Sequence, residues 1–270
     1  MLFIVLVGLL ISLLIVSAMV LLAFFDVARA GPPQSLTASP KWQPPLVQDD
    51  TLLAWASEMA STATARRLAG PRGENTAKQL VAEIHEGSTY AIAQSPDATV
   101  RMEPNCSNGR HRMIGVTPPE ALVIAEEIRS TKSRREVNRI HDRAARNAAK
   151  VVDMTHQRYA QGGLTCPLLA QDETCTVFGV RPMRCRGWCL ASGKDGDVCL
   201  PGDGDASKGL HAKTVTSGAE DGLCRAIESA GLDANVYELN SALVAALDAP
   251  VGAERWAEGE RVFEQCKRYE

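Results

Sequence analysis

Residues 117–130 read TPPEALVIAEEIRS, and this stretch decides the fold class because it carries a complete helix start. Thr117 is suited to cap a helix, and Pro118 then takes the first helical position. Glu120 stands where a capping box needs its carboxylate. The stretch therefore predicts a helix that begins just after Thr117.

The following stretch, SRREVNRIHDRAARNAAKVVDMTHQRYAQGG at residues 133–163, repeats the signal. Ser133 and Glu136 form a second predicted capping box. Gly162 and Gly163 are expected to end this long helix. Apolar residues recur along it at helical spacing, and they are Val137, Ile140, Ala144, Ala148, Val151 and Val152.

Helix-forming composition extends to both sides of these two helices. It covers residues 51–68 and 75–86, and it returns after residue 210, where Asn235 and Glu238 are placed to cap a further helix. The residues that mark the later helices are Leu223, Ile227 and Ala230, then Leu239, Leu243 and Leu247, and finally Trp256, Phe263 and Cys266. The sequence therefore predicts a mainly α, helical domain over residues 51–270.

The overall composition is that of a globular protein with no bias toward nucleic acid. The chain has 270 residues, of which 45% are hydrophobic and 23% charged. Its formal net charge is −3 and its isoelectric point is about 6.0. This charge gives no electrostatic reason to expect a nucleic-acid partner.

The amino-terminal residues 1–25 carry no charged side chain and predict a transmembrane helix. At 1.5 Å per residue they would form roughly 37 Å of helix, which is enough to cross a hydrocarbon core of about 30 Å. Residues 26–50 then form a Pro-rich linker. A cleaved signal peptide is the alternative, since ARA at residues 28–30 resembles a cleavage site, but no basic region precedes the apolar run.

The charge on either side of the apolar run predicts its orientation. No lysine or arginine precedes it, whereas Arg29 and Lys41 follow it. By the positive-inside rule this asymmetry places the domain on the cytoplasmic side of a single-pass membrane protein. A reducing cytoplasm would also keep thiols available for metal.

A cysteine-rich insert, residues 163–210, interrupts the helical pattern. A long irregular stretch inside a compact domain needs a constraint of its own, and the insert contains Cys166, Cys175, Cys185, Cys189 and Cys199. Thiolates in a closed site can hold a zinc ion and replace a missing core. Arg181, Arg184 and Arg186 could offset the excess negative charge of such a site.

Spacing alone leaves three interpretations of these cysteines open: metal ligands, disulfides, and buried thiols. No C-x-x-C pair occurs anywhere in the chain. A catalytic thiol is not supported, because nothing near Cys185 supplies a histidine base. Cys224 and Cys266 fall beside apolar residues of predicted helices and are expected to be small buried hydrophobes.

The segment TCPLLAQDETCTVFGVRPMRCRGWC, residues 165–189, resembles the second half of the YkgJ-like cysteine-cluster family of zinc- or iron-chelating proteins. The resemblance covers roughly residues 75–268. It rests on the pattern C-P-x-L, then C-x-V-F, then R-P-x-x-C-R, which here comprises Cys166, Pro167, Leu169, Cys175, Val177, Phe178, Arg181, Pro182, Cys185 and Arg186. The resemblance implies a zinc or iron ion as cofactor.

The sequence departs from this family in an earlier cluster, C-x2-G-C-x2-C-C, that members usually carry before the helix at residue 118. Cys106 keeps its place, but Arg110, Met113 and Ile114 stand where three further cysteines are expected. Arginine and isoleucine cannot bind a metal ion, and methionine binds only soft ions. We therefore expect these three residues to lie outside any metal shell.

The predicted function is a membrane-anchored protein that binds one zinc or iron ion. The expected ligands are Cys166, Cys175 and Cys185, completed by either Cys189 or Cys199, with Cys106 as a further candidate. Two other classes remain open: an exported domain with disulfides, and a metal-free scaffold descended from a chelator. An enzyme is not favoured, because the sequence shows no nucleotide loop and no nucleophile motif.

Overall fold

The structure, a computed structural model, describes residues 42–45, 50–94, 101–102, 112–187, 190–191 and 210–269. This part of the chain is mainly helical, as predicted. The helices are α1 (Asp50–Leu68), α2 (Thr76–Ala93), α3 (Pro118–Thr131), α4 (Arg134–Val151), α5 (His156–Gln161), α6 (Met183–Arg186), α7 (Leu210–Ser229), α8 (Leu239–Asp248) and α9 (Gly252–Ala257). Among the described residues, no helix is long and apolar enough to cross a bilayer. The segment 1–25 and residues 26–41 lie outside the described part.

Four two-residue strands in the described part of the chain form two antiparallel pairs. In the first, β1 (Arg101–Met102) pairs with β3 (Leu190–Ala191). In the second, β2 (Gly115–Val116) pairs with β4 (Tyr237–Glu238). The second pair ties the entry of α3 to the entry of α8, so that these two helices begin side by side.

Both predicted capping boxes are present. At α3, the Thr117 N–H donates to Glu120 Oε2 at 3.0 Å. At α4, the Ser133 N–H donates to Glu136 Oε2 at 3.1 Å, and the Glu136 N–H donates back to Ser133 Oγ at 3.3 Å. The two boxes differ in burial, because the α3 box is enclosed in the core and the α4 box is exposed.

The long helix predicted over residues 133–163 is two helices. α4 ends at Val151, and the predicted core residue Val152 is 62% exposed. Thr155 then starts α5, with its side chain accepting a hydrogen bond from the Arg158 N–H. Lys267 explains the break, because its ammonium group donates to the carbonyl oxygens of Val151, Val152 and Met154 and so satisfies the exposed carboxyl end of α4.

Two details of the carboxyl-terminal prediction are wrong. The cap of α8 is Glu238 itself, which accepts a hydrogen bond from the Ser241 N–H, whereas Asn235 bonds to Asp233. The predicted last helix reaches only Ala257. Beyond it the chain continues in turns, although Trp256 and Phe263 are fully buried, because their anchoring needs core contacts and not a continuous helix.

α1 and α7 pack along most of their lengths, and their close approach depends on glycine. A Cβ atom added to Gly218 would lie 2.9 Å from the Cβ of Ala56, and one added to Gly222 would collide with the backbone oxygen of Ser57. Ser57 Oγ also donates to Asp221 Oδ2 at 2.6 Å across this contact. Small residues at both surfaces therefore let the two helices lie almost backbone to backbone.

The main core joins α1–α4 and α7–α9, and it also takes in the first half of the cysteine-rich insert. Leu168, Val177 and Met183 are each at most 2% exposed and pack in this core. The expectation that the insert lacks a core is therefore wrong for residues 164–187. Trp42, within the predicted linker, is also buried and packs edge-on against Trp55.

Candidate functional site

A tight hairpin, residues 168–176, carries Cys175 back toward Cys166. Leu169 and Cys175 form an antiparallel bridge, and the Thr176 N–H donates to the Leu168 carbonyl at 2.9 Å. The turn between them includes Glu173, whose φ of 65° lies in the left-handed region. Because Cys166 accepts a hydrogen bond from the Leu169 N–H at its carbonyl, both cysteines sit at the base of the same hairpin.

The two cysteines at the hairpin base influence each other. Burial, with a smaller contribution from Cys175, raises the pKa of Cys166 to about 12. The Arg143 guanidinium opposes this rise, and Arg143 donates to the Leu169 carbonyl at 3.0 Å. Cys166 is accordingly a protonated thiol at neutral pH unless a metal ion displaces the proton.

The second cysteine-bearing segment, Arg181–Arg186, is fixed by a buried carboxylate. The Met183 N–H donates to Glu120 Oε1 at 2.7 Å, and Glu120 is 1% exposed. Cys185 lies two residues further along, on the short helix α6. The glutamate of the α3 capping box therefore also positions the turn that carries Cys185.

Glu120 is charged in spite of its burial. Burial alone would raise its pKa, but the hydrogen bonds from His85, Thr117 and Met183 outweigh that effect and lower it. His85 Nε2 lies 3.4 Å from Glu120 Oε1. Burial, with Arg186 and Arg181 nearby, lowers the pKa of His85, so the imidazole is neutral at physiological pH.

The three arginines of this segment have different environments. Arg184 forms a bidentate pair with Glu220, with Nε donating to Oε2 at 2.9 Å. Arg186 donates to the carbonyl oxygens of Arg181 and Gly179 and to Thr89 Oγ1. The guanidinium groups of Arg184 and Arg186 are therefore both hydrogen-bonded to other parts of the protein.

Arg181 is the exception. It is 2% exposed, and its guanidinium lies over the ring of Phe178, 4.2 Å from the centroid. Its Nε and Nη2 have no hydrogen-bond partner among the described residues. Of the three arginines predicted to balance thiolate charge, Arg181 is thus the one with buried donors to spare.

The structure brings only some of the predicted metal ligands together. Cys166 and Cys175 share the hairpin base, and Cys185 lies on α6. Within the described residues, no group of three or more cysteine, histidine, aspartate or glutamate side chains could hold a metal ion. The remaining predicted ligands lie outside the described residues: Cys106, Cys189 and Cys199.

Two of the three residues that were expected to lie outside any metal shell are described, namely Met113 and Ile114. Met113 is 5% exposed and packs with Val151, Tyr159 and Leu164. Ile114 packs against the main core, and its carbonyl accepts a hydrogen bond from the Leu239 N–H. Both side chains have packing roles where they stand, and Arg110 lies outside the described residues.

Cys224 and Cys266 were predicted to be small buried hydrophobes, and both are half-buried. Burial raises the pKa of Cys224, which lies on α7. Burial also raises the pKa of Cys266 to about 11, and its thiol donates to the Ser241 carbonyl from a turn and not from a helix. Among the described residues, no disulfide joins any of the cysteines, which are Cys166, Cys175, Cys185, Cys224 and Cys266.

The buried ionic network is the part of the site that sequence reasoning missed. Its buried members are His85, Glu120, Arg181, Arg186 and Glu220, which come from α2, α3, the segment before and within α6, and α7. The half-buried Arg184 joins them through Glu220. The sequence predicts Glu120 as part of a helix cap. Local spacing cannot predict that its carboxylate also accepts a hydrogen bond from the Met183 N–H. The R-P-x-x-C-R pattern was the sequence signal that could have revealed this network. Two arginines beside a cysteine in an apolar segment need a buried hydrogen-bond acceptor.

The comparisons with known proteins add no relative. No protein-family model, curated protein or solved structure matches the chain.

Proposed function

We propose that the protein binds one zinc or iron ion through the cysteines of its insert and is anchored to a membrane by residues 1–25. The proposed ligands are Cys166, Cys175 and Cys185, with the fourth from Cys189, Cys199 or Cys106. The anchor follows from the length and apolarity of the segment. The orientation that we propose, with the domain in the cytoplasm, follows from Arg29 and Lys41.

The hairpin that places Cys175 beside Cys166 is the observation that carries the proposal. Two neighbouring, half-buried thiols are costly to ionise together, and a divalent ion offsets that cost. Cys185 lies on a separate segment that Glu120 holds in position. Two segments with independent supports would then contribute to one coordination shell, as structural metal sites commonly require.

The donor chemistry of the insert fits a soft or borderline metal ion. Thiolates prefer zinc and iron over hard cations such as magnesium. Binding would release the proton that burial retains on Cys166. Arg181 would then supply the hydrogen bonds that an electron-rich thiolate sulfur accepts, since its Nε and Nη2 have no other partner in the described chain.

The test is elemental analysis of the full chain, purified in detergent without a histidine tag. We expect about one zinc or iron ion per chain. Cys175→Ser should remove it, whereas the matched variant Cys224→Ser should retain it, because Cys224 lies on α7, outside the insert, and is not a proposed ligand. A metal content of zero with every thiol reactive would exclude the proposal.

The buried ionic network favours one alternative, a metal-free scaffold. Glu120 already anchors the Cys185 segment, so the fold around α6 has a support that needs no metal ion. The same sample decides between the candidates through its thiol count. A scaffold gives reactive thiols and no metal, an exported domain gives disulfides, and a metal protein gives protected thiols that a chelator exposes.

A further inference from the structure

Helix α4 carries a basic stripe along one side. With 100° per residue, its members fall within about 80° of the helix circumference and span roughly 22 Å of its length. They are Arg135, Arg139, Arg143, Arg146 and Lys150. No carboxylate of α4 falls inside this arc. We call this set the α4 stripe.

The stripe faces solvent while the other side of α4 is packed. Ile140, Ala144 and Val151 are buried, and α4 packs on α8 through this apolar side. Four of the five stripe residues are exposed, and Arg143 is half-buried where it donates to the Leu169 carbonyl. The stripe therefore extends along the surface to the cysteine hairpin.

The exposed cations of the stripe are not neutralised by nearby acids. Within the described residues, no ion pair involves Arg135, Arg139, Arg146 or Lys150. The two carboxylates of α4 lie at the edges: Glu136 is held in the capping box by Ser133, although it also attracts Arg139, and Asp142 lies beyond the far edge.

The turn of the adjacent hairpin carries two acidic residues. Asp172 Oδ1 accepts hydrogen bonds from the N–H and the hydroxyl of Thr174, and Glu173 follows it in the turn. Even if both carboxylates are counted against the five cations of the stripe, positive charge remains in excess. A protein with a net charge of −3 has thus gathered positive charge on one helix side.

We propose that the α4 stripe docks on the anionic headgroups of a lipid bilayer. This inference rests on the proposed membrane anchor, which would keep the domain close to such a surface. Five aligned cations with no apolar side chain among them suit a flat surface over which negative charge is spread, such as a layer of anionic headgroups. Basic residues near an anionic leaflet each add to attraction, and the effect acts within about a Debye length of 10 Å.

The test measures arginine modification by phenylglyoxal, residue by residue, on the full chain reconstituted in vesicles. One set of vesicles contains phosphatidylcholine alone, and the other also contains phosphatidylglycerol. We expect modification of Arg135, Arg139 and Arg146 to slow by about fivefold in the anionic vesicles. The protection should disappear at about 0.5 M salt, because the attraction is screened.

Controls are built into the same chain. Arg134 is exposed on the opposite side of α4, and Arg67 is exposed at the end of α1. Both should react at equal rates in the two kinds of vesicle. Equal rates for the stripe residues as well, or equal slowing of the controls, would overturn the docking proposal.

Vesicle flotation separates failure of the stripe from failure of the anchor. If the chain floats with phosphatidylcholine alone but its stripe residues are not protected, the proposed anchor stands and the proposed docking of the stripe is wrong. A chain that floats only with the anionic vesicles, and only at low salt, keeps the stripe and loses the anchor. Flotation with neither vesicle overturns both.

Discussion

The two cysteine-bearing segments of this protein are held in place by different physics. The hairpin with Cys175 is closed by backbone hydrogen bonds and by the burial of Leu168 and Val177. The segment with Cys185 is held by a buried carboxylate, Glu120, which receives the Met183 N–H. One support is apolar and local, whereas the other is electrostatic and reaches across the core.

The proposed site is therefore more vulnerable on the side of Cys185 than on the side of the hairpin. A hydrophobic hairpin tolerates changes in charge, but a segment that depends on a buried ion loses its position when that ion is lost. The Cys185 segment should therefore respond to substitutions and pH that leave the hairpin unchanged. The predictions below test this asymmetry.

The largest effect is expected for Glu120→Gln. The change removes a negative charge close to Arg186 and weakens the bond to Met183, and we expect the free energy of unfolding to fall by about 3 to 5 kcal/mol. Urea unfolding of the full chain in detergent, followed through its helical signal, measures the loss.

The matched control is Glu136→Gln, which alters the equivalent carboxylate of the exposed α4 box. It should cost far less than the change at Glu120, because solvent replaces the lost hydrogen bonds. Equal losses for the two variants would mean that Glu120 acts only as a helix cap and not as the anchor of the Cys185 segment.

Gly222→Ala tests whether both segments depend on the α1–α7 contact. The added methyl group would collide with the Ser57 carbonyl, and we expect a loss of about 3 kcal/mol in the free energy of unfolding. Gly73→Ala is the control, since nothing lies within 4 Å of its added Cβ atom. Thermal unfolding of the two variants should differ clearly, and similar melting temperatures would contradict the close approach.

The pH dependence of the free energy of unfolding tests the region around the Cys185 segment. Burial raises the pKa of Glu220 to about 7, and Arg184 opposes the rise. A carboxyl group whose pKa is higher in the folded chain than in the unfolded chain stabilises the fold below the unfolded value, and that contribution is lost as pH rises through the folded value.

We therefore expect the free energy of unfolding to decrease by on the order of 2 kcal/mol between about pH 4.5 and pH 7 because of Glu220. In Glu220→Gln this decrease should be absent. Urea unfolding at a series of pH values distinguishes the two proteins. An unchanged pH profile in the variant would show that the Arg184 pair holds Glu220 ionised throughout.

The smallest effect is expected at the hairpin turn. Glu173 adopts a left-handed backbone conformation that glycine adopts without strain. Glu173→Gly should therefore raise the free energy of unfolding by about 0.5 kcal/mol, after the extra entropy of glycine in the unfolded chain is subtracted. A small rise in the midpoint of thermal unfolding is the expected result, and a fall would indicate that the turn depends on the glutamate side chain.

Local signals in the sequence predicted the starts of α3 and α4, because a capping box is written in residues three positions apart. Both boxes, at Thr117 and Ser133, are present. The fold class followed from such local patterns. The break after Val151 could not be predicted in this way, because Lys267, which satisfies the exposed carbonyl oxygens there, is more than a hundred residues distant in the chain.

The long-range parts of the site escaped prediction for the same reason. Gly218 and Gly222, four residues apart on α7, indicate that another helix can pack closely there. Their spacing does not indicate that this helix is α1. The role of Glu120 as an acceptor for Met183 depends on tertiary packing. Cysteine spacing predicted Cys166 and Cys175 as candidate ligands, but it did not indicate the β-bridge between Leu169 and Cys175.

The most direct test of the central claim is the metal content of the full chain beside its Cys175→Ser variant. Both are purified in detergent without a histidine tag, and zinc and iron are measured against protein. The account predicts about one ion per chain, lost in Cys175→Ser and retained in Cys224→Ser. An unmodified chain without zinc or iron, whose cysteines all react with a thiol reagent before any chelator is added, would contradict it.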